Sequence, residues 1–247
     1  MMIIAVINQK GGTGKTTTTM NLGSALSSLG KKILLVDLDP QANLSYSFGI
    51  KTPNGTIAEV LQGKQTLQTI LVEKEGLSIT PSSVSLADLE ISLVNKIGRE
   101  GLLKELLKGL KGYDYVFIDS PPSLSILTIN ALNAAQEVLI PLQMEILSLQ
   151  GLAQLLDTIN EVLRILNKNL KVKGIIPSMY DGRRRLSDEV LEEIKKFKEP
   201  IFKTVIRENV KIAEAPSFAK SVLAYAPLSH GAEDYIKLAK EFIKERK

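Results

Sequence analysis

The run Ile3-Ile4-Ala5-Val6-Ile7 leads directly into Asn8-Gln9-Lys10-Gly11-Gly12-Thr13-Gly14-Lys15-Thr16-Thr17, with Met20, Leu22 and Leu26 beyond it. An unbroken, β-branched apolar run reads as a strand buried on both faces, and the later apolar positions suit a helix. A strand, a glycine-rich turn and a helix start together make a phosphate-binding loop. Backbone N–H groups cradle anionic oxygens there, the Lys15 ammonium meets them, and the Thr16 hydroxyl is placed to hold Mg²⁺. The ordinary loop has glycine five residues before Gly14; here Gln9 stands there, and Lys10 adds a second lysine. A purely structural glycine turn has no use for a lysine and a hydroxyl at this spacing. A dinucleotide fingerprint would use the same glycines, and Asp37 mimics its ribose-binding acid, but Thr17 replaces its last glycine. Lys15-Thr16 points to a triphosphate instead.

The 247 residues suffice for one large α/β domain or two small ones. Apolar residues make up 44% and aromatics 5%, so Leu, Ile, Val and Ala must form the core. No cysteine is present, which excludes disulfides, thiol catalysis and a Cys-ligated iron–sulfur cluster; the single histidine, His230, excludes a His-rich metal site. No long apolar run suggests a membrane span, and residues 1–7 read as a strand rather than a signal peptide. The net charge of +4 is unevenly placed: residues 164–211 carry 13 Lys/Arg against 7 Asp/Glu, or +6, leaving −2 elsewhere. A cationic region on a near-neutral body is the footprint of an anionic partner, although solvated lysine-rich helices produce the same count.

Apolar β-branched runs predict strands at 2–8, 33–37, 77–80, 115–119, 137–142, 172–177 and 201–205, with 222–225 as an edge strand. Helical patterns fall at 15–29, 56–62, 84–96, 100–111, 125–135, 148–167, 186–198, 209–219 and 232–246. This alternation predicts right-handed βαβ units: one α/β domain over 1–247, a P-loop NTPase fold whose mainly parallel twisted sheet of seven to eight strands has helices on both faces. Ligands of such sheets bind beyond the carboxyl ends of the strands. Those ends read Asp37-Leu38-Asp39-Pro40-Gln41, Asp119-Ser120-Pro121-Pro122, Gln143-Met144-Glu145 and Met179-Tyr180-Asp181.

Asp119, closing Tyr115-Val116-Phe117-Ile118, holds a Walker-B position, where a carboxylate supports Mg²⁺ while Thr16 ligates it. Capping of the next helix by Asp119 or Ser120 is the plainer alternative. Asp37 and Asp39 flank one leucine and so face the same side; one would organise Mg²⁺ and its waters, the other the attacking water. Asp39, further beyond the strand, is assigned the water and Asp37 the metal, against the alternative that the pair caps a helix over 42–47. Lys10 suits a charge-neutralising role in a partner's site, and Gly11 and Gly12 would let two such loops approach closely across a two-fold axis.

In their order along the chain, Lys10-Gly11-Gly12-Thr13-Gly14-Lys15-Thr16, Asp37-Leu38-Asp39-Pro40-Gln41-Ala42-Asn43, Ile118-Asp119-Ser120-Pro121-Pro122, Tyr180-Asp181-Gly182-Arg183 and Glu214-Ala215-Pro216-Ser217 resemble the deviant Walker A ATPases of the ParA/MinD superfamily, in particular the ParA/Soj partitioning branch. The resemblance spans residues 3 to about 225. It implies an ATP- and Mg²⁺-dependent, cytoplasmic and nucleoid-associated protein that forms a homodimer when ATP-bound. That dimer binds double-stranded DNA without sequence preference and releases it after hydrolysis stimulated by a ParB-like centromere-binding protein. It implies catalytic roles for Lys10, Lys15 and Asp39, ATP contacts from Lys10 through Thr17 with Met179 and Pro216 near the base, and contacts across the dimer from Lys10, Gly12 and Glu145. Arg183, Arg184, Arg185, Arg207 and Lys211 are the DNA-binding candidates. Longer members carry an N-terminal helix-turn-helix domain that is not expected here, and Arg183-Arg184-Arg185 is more basic than the branch's usual single arginine.

A MinD-like membrane ATPase is the competing reading. Its amphipathic anchor would have to be 232–246, whose stripe of Tyr235, Ile236, Leu238, Ala239, Phe242 and Ile243 reads rather as a packed closing helix, so no stable membrane association is expected.

Overall fold

The computed structural model describes residues 1–244. Eight strands form one sheet: β1 (Met2–Val6), β2 (Ile33–Asp37), β3 (Val72–Lys74), β4 (Leu77–Thr80), β5 (Tyr115–Asp119), β6 (Glu137–Gln143), β7 (Lys171–Tyr180) and β8 (Ile206–Arg207). Their order is β3-β4-β2-β5-β1-β6-β7-β8. All neighbours are parallel except the hairpin of β3 with β4. The helices are α1 (Lys15–Ser28), α2 (Asn43–Ser47), α3 (Ile57–Leu61), α4 (Leu67–Ile70), α5 (Ser85–Ser92), α6 (Leu102–Leu107), α7 (Ile126–Ala134), α8 (Ile146–Ile165), α9 (Arg185–Lys195), α10 (Val210–Glu214), α11 (Val222–Tyr225) and α12 (His230–Lys244).

Alternation along each strand explains why the central runs are apolar throughout. Ile3, Ala5 and Ile7 enter one core with Leu103, Leu127 and Leu155 of α6, α7 and α8. Ile4 and Val6 point the other way, into a second core with Leu22 and Leu26 of α1 and Leu238 and Phe242 of α12. Both faces of the sheet are covered, as a parallel sheet requires.

The apolar stripe of α12 is one wall of this second core: Tyr235, Leu238, Ala239 and Phe242 are buried, which makes α12 the packed closing helix that the sequence suggests. The expected positions 245 and 246 of that helix lie outside the described residues. No helix among the described residues is long and apolar enough to cross a membrane. The Phe242 ring meets Tyr115 edge-on at 5.4 Å and Phe117 at 5.9 Å. Phe242→Ala is therefore expected to cost roughly 3–5 kcal/mol of stability, read as a lower urea midpoint at an unchanged denaturant slope.

Three local expectations fail, and one strand is added, for identifiable reasons. Of 201–205, only Ile201 bridges to Ile175, because the Lys203 and Thr204 amides donate to the Glu241 carboxylate on α12 and leave the sheet. The edge strand is instead Ile206–Arg207. Residues 222–225 are helical, not extended: the Ser221 hydroxyl accepts from the Ala224 amide, and the Val222 amide donates to Asn21. These capping bonds outweigh the strand propensity of Val222 and Tyr225. Strand β3 was not anticipated; it folds back on β4 through Glu75 and Gly76, both at positive φ, as a tight hairpin needs. The 209–219 segment breaks into α10 and a 3₁₀ turn at Ala215–Phe218, where Pro216 lacks the N–H that would continue the helix.

Candidate nucleotide site and basic surface

The phosphate loop connects β1 to α1 at the carboxyl edge of the sheet. Gly14 adopts the left-handed conformation (φ 90°, ψ 21°) as the cap of α1, and no side chain satisfies the first amides of that helix. They remain open to an anion, with the helix dipole behind them. Lys15 folds back over the loop, its Nζ donating to the Lys10 carbonyl at 3.3 Å. Burial lowers its pKa, while Asp119 and Asp39 pull it up.

Asp119 sits at the end of β5 between two hydroxyls of α1: Thr16 donates to Oδ2 at 2.7 Å and Thr19 to Oδ1 at 3.2 Å. Burial, then the Asp37 charge, push its carboxyl up to about 8. Asp119 does not cap the following helix; neither does Ser120, whose hydroxyl donates to the Val6 carbonyl, and α7 is capped by Ser125. Among the described residues no three His, Cys, Asp or Glu side chains gather as a metal cluster. One threonine hydroxyl beside one carboxylate, at the edge of a phosphate cradle, is the sparse hard-oxygen set that suits Mg²⁺, which keeps several waters and takes phosphate oxygens as ligands.

Asp37 and Asp39 have separate environments. The Asp37 carboxylate is fully buried and receives the Ser45 amide at 2.9 Å and the Ser45 hydroxyl at 2.6 Å. It thereby ties down the first turn of α2, the helix-capping alternative raised by the sequence, and burial pushes it up to about 7. Asp39 receives the Gln41 amide at 2.9 Å and lines the phosphate cleft. The α2 helix that separates the two roles, Asn43–Ser47, is the 42–47 helix of that alternative to within one residue.

Two hollows adjoin the loop. One, of about 330 Å³, is lined by Gly11, Gly12, Lys15, Thr16, Asp39 and Pro122 among others. The second, of about 340 Å³, is walled by Ile206, Glu208, Asn209, Ile212, Pro216 and Tyr235 among others, and is the less polar of the two. Gly14, Thr17 and Met179 line both, so the two hollows join at these three residues. Glu208 and Asn209 were not singled out from sequence. They follow a strand end, as the other candidates do, but it is the end of β8 and not of the strand expected at 201–205. A larger hollow of about 500 Å³, beside Met1 and Gln136 at the opposite sheet edge, contains none of these groups.

Lys10 does not line its own phosphate cleft. Its Nζ pairs with Glu145 Oε2 of the same chain at 2.7 Å, at the half-exposed rim. Its amide donates to Asn8. Thus Lys10 and Glu145, both expected to reach across a dimer, meet each other within the lone chain.

The basic candidates do not share one environment. Arg183, Arg184 and Arg185 are exposed, the first two over Asp181 and the third on Glu189. Lys211 pairs with Glu214 over the Tyr225 ring. Arg207 departs from the expected open cation: its guanidinium is bound by the buried Asp234 and by Glu233, which raise its pKa, and it borders the second hollow. Its charge is largely spent holding β8 against α12.

The family described as an AAA domain matches residues 1–172. Over 245 residues the chain is 46% identical to the sporulation initiation inhibitor protein Soj of Bacillus subtilis (strain 168), with 97% of each covered. The chain belongs to the ParA/Soj family of chromosome-partitioning ATPases. Another ParA/Soj relative, the chromosome partitioning protein ParA of Myxococcus xanthus (strain DK1622), is 44% identical over 98% of this chain and 88% of its own length. The ParA/Soj chain also superposes with a TM-score of 0.88 and 37% identity on a crystal structure from Mycobacterium smegmatis, described as cobyrinic acid a,c-diamide synthase with bound ATP analog and magnesium. That match covers 99% of this chain and 95% of the other.

Proposed function

We propose that this chain is a Mg²⁺-dependent ATPase that dimerises on ATP, binds double-stranded DNA without sequence preference, and releases it after hydrolysis. In this reading it segregates DNA in the cytoplasm, associated with the nucleoid, and a ParB-like centromere-binding protein stimulates turnover. The observation that carries the reading is the position of Lys10, a loop lysine that sits outside its own phosphate cleft and at the rim, where a second subunit would meet it. A relative of known structure that holds an ATP analog and magnesium supports the choice of ligand.

Within one subunit, the open amides from Gly12 to Thr16 and the Lys15 ammonium receive the β- and γ-phosphates, while the second hollow takes the base against Pro216 and Met179. Thr16 and Asp119 would hold Mg²⁺ with Asp37 behind them, and the ion when bound neutralises charge on the phosphate oxygens. Asp39, with its Oδ1 anchored by the Gln41 amide, orients the attacking water. Lys10 leaves Glu145 and supplies charge to the partner's nucleotide, as arginine fingers do in trans. A MinD-like role at the membrane fares worse, because α12 keeps its apolar stripe in the core.

Dimerisation has a direct test. A side chain added at Gly11 or Gly12 would meet nothing within 4 Å in the lone chain. Gly12 has φ +74°, so valine there also strains the loop that binds phosphate, whereas Gly11 has no positive φ. Gly11→Val is therefore expected to bind ATP and stay monomeric by light scattering. An ATP-bound Gly11→Val dimer would count against a contact through this loop. For DNA, Arg183→Glu is expected to remove binding while leaving ATP-dependent dimerisation in place, with wild-type affinity falling steeply as salt rises. Salt-titrated binding to two unrelated duplexes checks this; a marked preference for one of them would contradict the reading.

A further inference from the structure

Each of the five basic candidates has an acidic partner in its own chain, but the pairs differ in kind. Arg185 with Glu189 and Lys211 with Glu214 are exposed pairs one helical turn apart, and such pairs contribute little. Arg207 with Asp234 is part of the fold. The remaining pair of arginines shares one acceptor. Asp181 receives the Arg183 amide at 3.1 Å, Arg183 Nε at 2.9 Å and Nη2 at 3.0 Å, and pairs in charge with Arg184 Nε at 3.3 Å. Its side chain is 9% exposed, beneath arginines that are 88% and 63% exposed.

A bidentate guanidinium and a backbone N–H donating to two anionic oxygens, with a second guanidinium charge beside them, make the arrangement by which proteins hold a phosphate. We propose that Asp181 is a built-in substitute for a nucleic-acid phosphate: it occupies the Arg183 edge that DNA would take, and so holds the arginine loop at low affinity. This inference rests on the DNA-binding reading above and concerns the regulation of that same surface. The hydrogen bonds from Arg183 hold the carboxyl low, at about 2, so it competes as a full charge at any cellular pH. The loop is also joined to the nucleotide compartment. Arg184 Nη2 lies 4.0 Å from Glu208, which lines the base cleft and donates its amide to the Tyr180 carbonyl beside Asp181. Met179, two residues before Asp181, lines both hollows in a left-handed conformation. A nucleotide seated there touches the residues on either side of the loop, and can thereby loosen the hold of Asp181 on the arginines.

Asp181→Asn tests the proposal, because its amide oxygen still accepts from the Arg183 backbone and preserves the turn while the competing charge is lost. With a non-hydrolysable ATP analogue present, Asp181→Asn is expected to bind duplex DNA roughly five- to twenty-fold more tightly, one exposed pair being released in each subunit. The salt slope should steepen by about one to two. Glu192→Gln, which makes the same charge change on α9 away from the loop, should shift affinity less than about twofold. In an Arg183→Gln background, Asp181→Asn should lose most of its gain, since the coupling runs through that pair. Weaker binding by Asp181→Asn would show a carboxylate that orients Arg183 for DNA, and would overturn the proposal. A gain no larger than that of Glu192→Gln, or one undiminished without Arg183, would overturn it too. Wild-type protein that fails to bind DNA at low salt would instead sink the DNA-binding reading itself.

Discussion

Asp39→Ala is expected to bind ATP with near wild-type affinity and to hydrolyse it about 10²–10⁴-fold more slowly, the range for loss of a positioned general base. Its ATP-bound dimer should then persist, and DNA should be retained long after the wild type has let go. The argument rests on the division of labour after β2. Asp37 is engaged by both the amide and the hydroxyl of Ser45, and its removal would leave the first turn of α2 without its anchor. Asp39 lines the phosphate cleft, with the Gln41 amide on one oxygen. Asp39→Asn keeps that acceptor and the local turn but is a far weaker base, so it should be as slow as the alanine variant. Single-turnover hydrolysis beside an equilibrium ATP-binding measurement separates the steps. Wild-type hydrolysis by Asp39→Asn would move the water role to another group.

The central strands and the phosphate loop were legible because their signals are local and redundant. Ile3 to Ile7 can only be a strand buried on both faces, and Lys15-Thr16 after Gly14 defines both the turn and the helix that follows. Asp119 and Asp39 are candidates by one rule, polar residues at the carboxyl ends of parallel strands. That rule missed Glu208 and Asn209 because the eighth strand is displaced by Glu241, some 38 positions away in sequence from Lys203. No window around 201–207 contains that information. The helical form of 222–225 likewise depends on Asn21, which meets Val222 only after α1 has packed. The pairing of Lys10 with Glu145 joins two segments through the β1–β6 register, again a product of the assembled sheet. Charge counting found the basic third but could not divide it. Arg207 and Arg183 look alike in sequence, yet one meets a buried aspartate on α12 and the other an exposed turn.

Lys15→Ala should have the largest effect on nucleotide affinity, lowering it by at least about tenfold. Lys15 lies at the first position of α1, where its ammonium adds a full charge to the partial charge of the open amides. Its surroundings raise that contribution. The side chain is largely buried, so its attraction to a phosphate is weakly screened; burial lowers its pKa, and Asp119 and Asp39 act against that. Without it Asp39 would face a polyanionic ligand with no lysine or arginine among the described residues lining the cleft, because Lys10 is drawn off to Glu145. A charge-assisted contact contributes about 1.5–3 kcal/mol, and breaking a buried one by removing one partner costs about 3–5 kcal/mol. The expected loss is therefore between about tenfold and a few thousandfold. The fold should stand, since among the described residues the Lys15 ammonium makes one hydrogen bond, at 3.3 Å to the Lys10 carbonyl. Titration with a fluorescent ATP analogue, with the thermal midpoint measured alongside, is the check. Nearly unchanged affinity in a folded Lys15→Ala protein would mean that the amide cradle and Mg²⁺ suffice, and that Lys15 acts only later, on the charge that develops during hydrolysis.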